Sequence, residues 1–228
     1  CSVDSRMSWE NGRLATAEEA TDEVATRILS ALGQGVTAHR KQWEFVFITS
    51  SLQKLGMLQP GKRGLVFAAG SEPLISYFAS FGVEIVATDM DPDGALAKGW
   101  ATTNQHAKNV DSLFKENLIT REKFDQLVSY QTADMNHISP TLHGSFDFVW
   151  STCSLEHVGS IVLGQRFAIN SMELLKPGGA AVHTTEFTLS SLEDTLDRGN
   201  TVLWRKKDIE QLKDDLRHLG YEIPDFCW

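Results

Sequence analysis

Cysteine is scarce: Cys1, Cys153 and Cys227 are the only three, and no two stand at the spacing of a metal-binding pair. They are too few to staple a chain of 228 residues, so neither a disulfide framework nor a metal site is expected. A reducing compartment, the cytoplasm, fits best. Basic runs are short as well, none longer than Arg205, Lys206 and Lys207, and the formal net charge is -9. Such a surface does not track phosphates, which argues against a nucleic-acid partner. No apolar run approaches the ~20 residues of a membrane span, and no signal-peptide pattern opens the sequence, so neither a span nor export is expected. Internal repeats and low-complexity tracts are lacking too. What is present is 42% apolar residues, ample for a folded core.

The organising stretch is Gly64 to Phe78. Leu65, Val66 and Phe67 form a short apolar run, Ala68, Ala69 and Gly70 strip away side-chain bulk, and Pro73 opens an amphipathic segment. Buried strand, tight turn and helix follow one another, and the turn should leave backbone N–H groups aimed at a ligand above the strand. A second run, VEIVATDMDP, ends on Asp89, 19 residues beyond Gly70. That is near the spacing of ~20 at which an acid meets a ribose in dinucleotide folds.

The rest of the chain extends this alternation. Residues 1–15 read as an extended arm. Thr16 and Glu19 form a capping box before a one-sided helix that runs to Leu32, and a second helix from Thr37 turns Trp43, Phe47 and Leu55 inward before Gly56. This pair of helices either lies across the ligand mouth or merely packs, with His39, Arg40, Trp43 and Glu44 solvating a surface. Strands are expected at 64–69, 84–88, 127–131, 146–151 and 180–187. Helices are expected at 73–81, from Asp91 unevenly to Phe124, at about 160–175, and from an Asp208/Gln211 cap to Leu219. The fold class is therefore α/β, a Rossmann-like, mostly parallel sheet with helices on both faces and an N-terminal helical cap. The division is an arm and cap over 1–60 and a core over 61–228, with the ligand site along the strand carboxyl ends.

The first loop separates two cofactor classes. A dinucleotide needs glycines for its pyrophosphate, as in GxGxxG, whereas this loop reads AAGSEP and puts Glu72 where an anion would sit. S-adenosylmethionine (SAM) has an ammonium that an acid can take. Glu72 serves either that purpose or the dipole of the helix that follows.

Five blocks occur in order: LVFAAGSEPL, VEIVATDMDP, QTADMNHIS, FDFVWSTCSLEHVG and LLKPGGAAVHTTEF. On these the chain resembles the class I SAM-dependent methyltransferases over roughly residues 64–187. It departs from the family pattern in the first motif, with Ala68, Gly70 and Glu72 at the glycine positions and Val66 at the acid. It also departs at the end, where only YEIPDFCW remains to supply the terminal hairpin, so the final strand of the sheet is expected to be missing. The resemblance implies that Ala69, Gly70 and Ser71 approach the methionine part of SAM and that Asp89 chelates both ribose hydroxyls. Met90 would lie on the adenine face, Asp134 and the Met135 backbone would meet the adenine edge, and Ser151 would sit near the sulfonium.

Methyl transfer is an in-line displacement, so positioning supplies much of the acceleration and a base is needed only for a hydroxyl or protonated amine acceptor. The candidates are His157 and Glu156 after the fourth strand and Glu186 on the fifth. Alternation there puts His183 and Thr185 on one face and Thr184 and Glu186 on the other. The expected activity is methyl transfer to an O or N atom of a small-molecule or sugar-like (saccharide) acceptor, leaving S-adenosylhomocysteine. The alternatives are a non-catalytic SAM-binding sensor or partner subunit and, behind it, a nicotinamide-dependent oxidoreductase.

Overall fold

The structure is a computed structural model that describes residues 11–93 and 106–228. Its strands are β1 (Gly12–Arg13), β2 (Arg63–Phe67), β3 (Glu84–Asp89), β4 (Val128–Thr132), β5 (Phe146–Ser151), β6 (Leu175–His183) and β7 (Phe226–Cys227). Its helices are α1 (Glu23–Ala31), α2 (Arg40–Lys54), α3 (Leu74–Ser80), α4 (Arg121–Leu127), α5 (Ile161–Met172) and α6 (Lys206–His218). Five strands make one parallel sheet in the order β4-β3-β2-β5-β6. Strands buried on both sides read as apolar runs rather than alternations, which is why LVF and FDFVW carry so little polarity.

Two cores result. Val66, Ala87, Phe148 and Trp150 face α1 to α4, where Ile28, Leu29, Ile48, Phe78 and Phe124 are fully buried or nearly so. Leu65, Phe67, Val86 and Val149 face the other way, toward Phe167 of α5 and Trp204. The helix after β2 thus packs on one face and the helix after β5 on the other, although β2 and β5 are neighbours. Their carboxyl ends diverge there and open a crevice between them, the place where open α/β sheets bind ligands. The cap helices α1 and α2 belong to the first core, sharing it with the sheet.

Several expected boundaries move. Thr16 accepts the N–H of Glu19, but Glu19 turns its carboxylate to Arg13 and Trp43 rather than back to Thr16, so the run splits. A 3-10 turn at Glu19–Thr21 is followed by α1, which Asp22 caps through the Ala25 N–H. Trp43 and Phe47 are buried and stacked at 5.1 Å, whereas Leu55 is 48% exposed at the end of α2. α6 starts at Lys206, with Asp208 in its third position accepting the Arg205 N–H. The helix expected from Asp91 falls largely outside the described residues; beyond it stand a 3-10 turn, Val110–Leu113, and α4.

The fifth strand is displaced most. β6 begins at Leu175, passes through Pro177, Gly178 and Gly179 as a bulge opposite Phe146–Phe148, and ends at His183. Its partner β5 stops at Ser151; Thr184 still bonds the Ser151 carbonyl and the Cys153 N–H, and beyond it the chain pairs with Trp204 instead, through Glu186, Phe187 and Thr188. The segment YEIPDFCW does not join the large sheet: Phe226–Cys227 pairs in parallel with Gly12–Arg13 as a separate two-stranded sheet.

Candidate active site

A cavity of about 800 Å³ fills the crevice above β2 and β5. The loop after β2 forms its floor through an unusual backbone: Ala68 has φ of 53°, as does Gly70. Glycine tolerates this left-handed region and alanine pays about 1–2 kcal/mol for it, so the turn of a glycine-rich loop persists here without its first glycine. Across the crevice Cys153 has φ of 54°, so the loops leaving β2 and β5 both carry a strained non-glycine residue.

The N–H groups of this loop do not all point at the cavity. Ala69 donates to the Thr88 carbonyl and Gly70 to Asp89 Oδ2 at 2.9 Å, which corrects the expectation of free donors. Asp89 Oδ2 also accepts from the Ala107 N–H at 3.0 Å, and Oδ1 accepts from the Met90 N–H at 2.9 Å. A carboxylate has about four acceptor positions, and three are in use. Asp89 is thus a clasp between β3 and two loops as well as a wall of the cavity.

Glu72 is buried beside it. Its oxygens accept from Trp150 Nε1 at 2.7 Å and Thr152 Oγ1 at 2.6 Å, tying the first loop to the exit of β5. Loss of water pushes its carboxyl up to about 7, against the pull of those two hydrogen bonds and of Lys41. On the third wall Asp134 makes an Asx turn to the Asn136 N–H and pairs with His137 at 2.8 Å. Met90, Met135 and Asn136 line the cavity with it.

Sequence reasoning left the fourth wall open between cap helices over the ligand mouth and plain packing, and named none of its residues but Arg40 in that connection. Gln34, Arg40, Lys41 and Phe45 reach the cavity from the cap, and Thr152, Cys153 and Ser154 reach it from the exit of β5. The run HRKQWEF held the clue, two cations one turn ahead of an aromatic, but surface helices carry such runs as well. Arg40 Nη1 lies 2.8 Å from Cys153 Sγ, 2.8 Å from Glu186 Oε1 and 3.1 Å from Glu44 Oε1. The ligand atoms of Cys153, Glu156 and Glu186 lie within 4.8 Å of one another, a spacing that would suit a metal ion, but the Arg40 cation already stands against two of them.

The base candidates fare unequally. His157 lines the cavity, and its Nδ1 is 2.8 Å from the Asn200 carbonyl. A carbonyl only accepts, so Nδ1 carries the proton and Nε2 is the basic nitrogen. Glu156 is 0% exposed and accepts from the Cys153 thiol at 2.7 Å and Thr185 Oγ1 at 3.0 Å. Burial raises its pKa, and it stands behind Cys153 rather than on the cavity wall. Glu186 is held by Arg40. His183 stands half-buried between the hydroxyls of Ser151 and Ser171, and loss of water lowers its pKa to about 4, so it stays neutral. Ser151 turns its hydroxyl to His183 and is absent from the cavity wall, which corrects its expected place beside the sulfonium.

The wall is suited to a ligand such as SAM on two counts. Its volume lies within the usual range for small-molecule sites. Two buried polar atoms on it also lack any hydrogen-bond partner, Ser154 Oγ and Asn136 Oδ1, and buried polar groups of that kind are rare without a bound partner to complete them.

Residues 65–183 match the family model described as "Methyltransferase domain", and the chain belongs to this family, the class I SAM-dependent methyltransferases. Among solved structures, it is similar to the CurJ carbon methyltransferase at 18% identity, covering 88% of this chain and 55% of that one with a TM-score of 0.48. It is also similar to an S-adenosylmethionine dependent methyltransferase from Mesorhizobium loti, at 20% identity, 59% and 53% coverage and a TM-score of 0.37. A third is the glycopeptide N-methyltransferase MtfA complexed with SAM, at 17%, 66% and 55%, with a TM-score of 0.42. The chain spans little more than half the length of each of these proteins. No curated protein matches the sequence. Among the described residues no helix is long and apolar enough to cross a membrane.

Proposed function

We propose that this chain moves the methyl group of SAM to an oxygen or nitrogen atom of a small-molecule acceptor. The observation that carries the reading is the cavity itself, walled by residues from the family's loops after β2, β3, β4 and β5 and closed by the cap helix α2. SAM bound there supplies a methyl group on a sulfonium to an aligned nucleophile. The ionised Glu72 carboxylate takes the cofactor's ammonium, beside Ala69, Gly70 and Ser71. Asp89 has one acceptor position left and takes one ribose hydroxyl; a second requires the Gly70 or Ala107 N–H to let go. Asn136 Oδ1, a buried acceptor without a donor, is better suited to the adenine amine than Asp134, whose two oxygens serve His137 and the Asn136 N–H. Met90 and Met135 flank the ring. His157 Nε2 takes the acceptor's proton, while Glu156 and Glu186 hold Cys153 and Arg40 in place.

Isothermal titration with SAM and with NADH tests the cofactor. Saturable SAM binding is expected, weakened about 10- to 100-fold in Asp89→Ala, the size of one hydrogen bond to a charged group. Heat from NADH and none from SAM would overturn the reading. S-adenosylhomocysteine formed from mixed acceptor pools by the wild type, and not by Asp89→Ala, separates an enzyme from a SAM-binding sensor.

A further inference from the structure

Beside the first cavity lies a second, of about 270 Å³, between α2, the segment leaving β6 and the small β1–β7 sheet. Arg40 lines both. The second cavity is divided along its length by chemistry. Its apolar lining is the stacked pair Trp43 and Phe47 together with Phe187, Leu189, Ile209 and Phe226, and Arg13, His183, Thr184 and Thr185 add polar groups. Its charged side chains include Glu44 and Glu186, both paired with Arg40 at the boundary with the first cavity.

That boundary is short of hydrogens. Arg40 Nη1 has two N–H bonds and three acceptors within 3.1 Å: the Cys153 sulfur, Glu186 Oε1 and Glu44 Oε1. The Cys153 thiol has one hydrogen to divide between Glu156 at 2.7 Å and Glu186 at 3.7 Å, and the nearer acceptor is Glu156. One O–H or N–H arriving from a ligand would complete the set, and would arrive beside Cys153 on the wall of the first cavity. A saccharide brings a hydroxyl on nearly every carbon, whereas the polar groups of the lining are already engaged: Arg13 with Glu19, His183 with Ser151 and Ser171, Thr184 with the Cys153 N–H and Thr185 with Glu156. At the mouth stands Leu189, 84% exposed, and Leu192 and Leu196 follow in the same segment, also exposed.

We infer that the second cavity is the acceptor subsite and takes a molecule with an apolar, ring-sized body bearing one hydroxyl or amine, presented at the Arg40 end, and not a saccharide. The inference rests on the methyltransferase reading for the fate of that head group, but the binding it describes is measurable by itself. Ala15, exposed on the rim, offers a way to fill the cavity from outside. Wild type, Ala15→Trp and Leu189→Asp are titrated with 2-naphthol and with methyl glucoside, followed by saturation-transfer NMR in saturating S-adenosylhomocysteine. SAM binding is measured on the same samples by equilibrium dialysis. The expected result is saturable naphthol binding, no glucoside binding, a tenfold or greater loss of naphthol affinity in Ala15→Trp, and unchanged SAM binding. Leu189→Asp, a change at an exposed side chain, should weaken naphthol severalfold and gives the same test if the tryptophan variant does not fold. Glucoside binding in place of naphthol, no naphthol binding, or undiminished, wild-type naphthol affinity in both variants would overturn the subsite. Naphthol binding with the expected variant losses but without SAM binding would keep the subsite and remove the methyltransferase reading.

Discussion

Replacing Glu72 by glutamine should change how the stability of the fold depends on pH. The carboxyl stands at about 7 instead of its ordinary 4.5 because burial strips its water, and the Thr152, Trp150 and Lys41 contacts recover only part of that loss while Glu44 adds to it. A raised value means that the folded chain holds a proton which the unfolded chain has released. The stability this group contributes is whole below pH 4.5 and is lost as pH rises through about 7. By pH 8 the difference amounts to roughly 3 kcal/mol, taking 1.36 kcal/mol for each pH unit between the two values. Glu72→Gln is neutral throughout and keeps one oxygen for Trp150 or Thr152. Urea unfolding without SAM, at pH 5 and at pH 8, should therefore show the variant gaining on the wild type by up to about 3 kcal/mol at the higher pH. A gap that stays constant between the two pH values would refute the reasoning, since it would mean that Glu72 titrates alike in both states. The same ionisation bears on the cofactor: wild-type affinity for SAM should increase as pH passes 7, and the glutamine variant should bind weakly at both.

Two further outcomes are expected. His157→Ala should lower turnover by about 100-fold, the low end of general-base effects, with SAM affinity little changed in steady-state and binding assays; full turnover in the variant would remove His157 Nε2 from the chemistry. Gly164→Ala should destabilise the fold by about 1–3 kcal/mol in chemical denaturation, because its new Cβ would sit 2.6 Å from Trp204 Cζ2 and 2.9 Å from the Leu155 carbonyl oxygen, and a variant as stable as wild type would show that this contact yields freely.

What could be read before the structure followed from local chemistry. The turn after β2, the strand ending on Asp89 and the apolar run FDFVWS announce themselves through residue types within a few positions, and all three strands lie within a residue or two of their expected limits. The cavity's fourth wall did not, because Arg40 and Cys153 stand 113 positions apart and meet only when α2 crosses the end of β5. The close of β6 was misjudged for a related reason. Val182, Thr184 and Thr185 have strand propensity, but a strand continues only beside a partner, and β5 runs out at Ser151. Ser151 and Asp134 were assigned to the ligand from the family resemblance, whereas the Ser151 hydroxyl is engaged by His183 and the Asp134 carboxylate by His137 and the Asn136 N–H.

The pairing of β1 with β7 has a consequence for motion. It joins segments from nearly opposite ends of the chain through two residues on each side, so it carries the largest loop-closure cost in the fold and the fewest bonds to offset it. Contacts of that kind form last and open first, without disturbing the sheet that holds the first cavity. Gly12 and Phe226 belong to this pair and to the wall of the second cavity. Separation of the two ends would therefore open one wall of the second cavity by local unfolding and leave the first cavity intact.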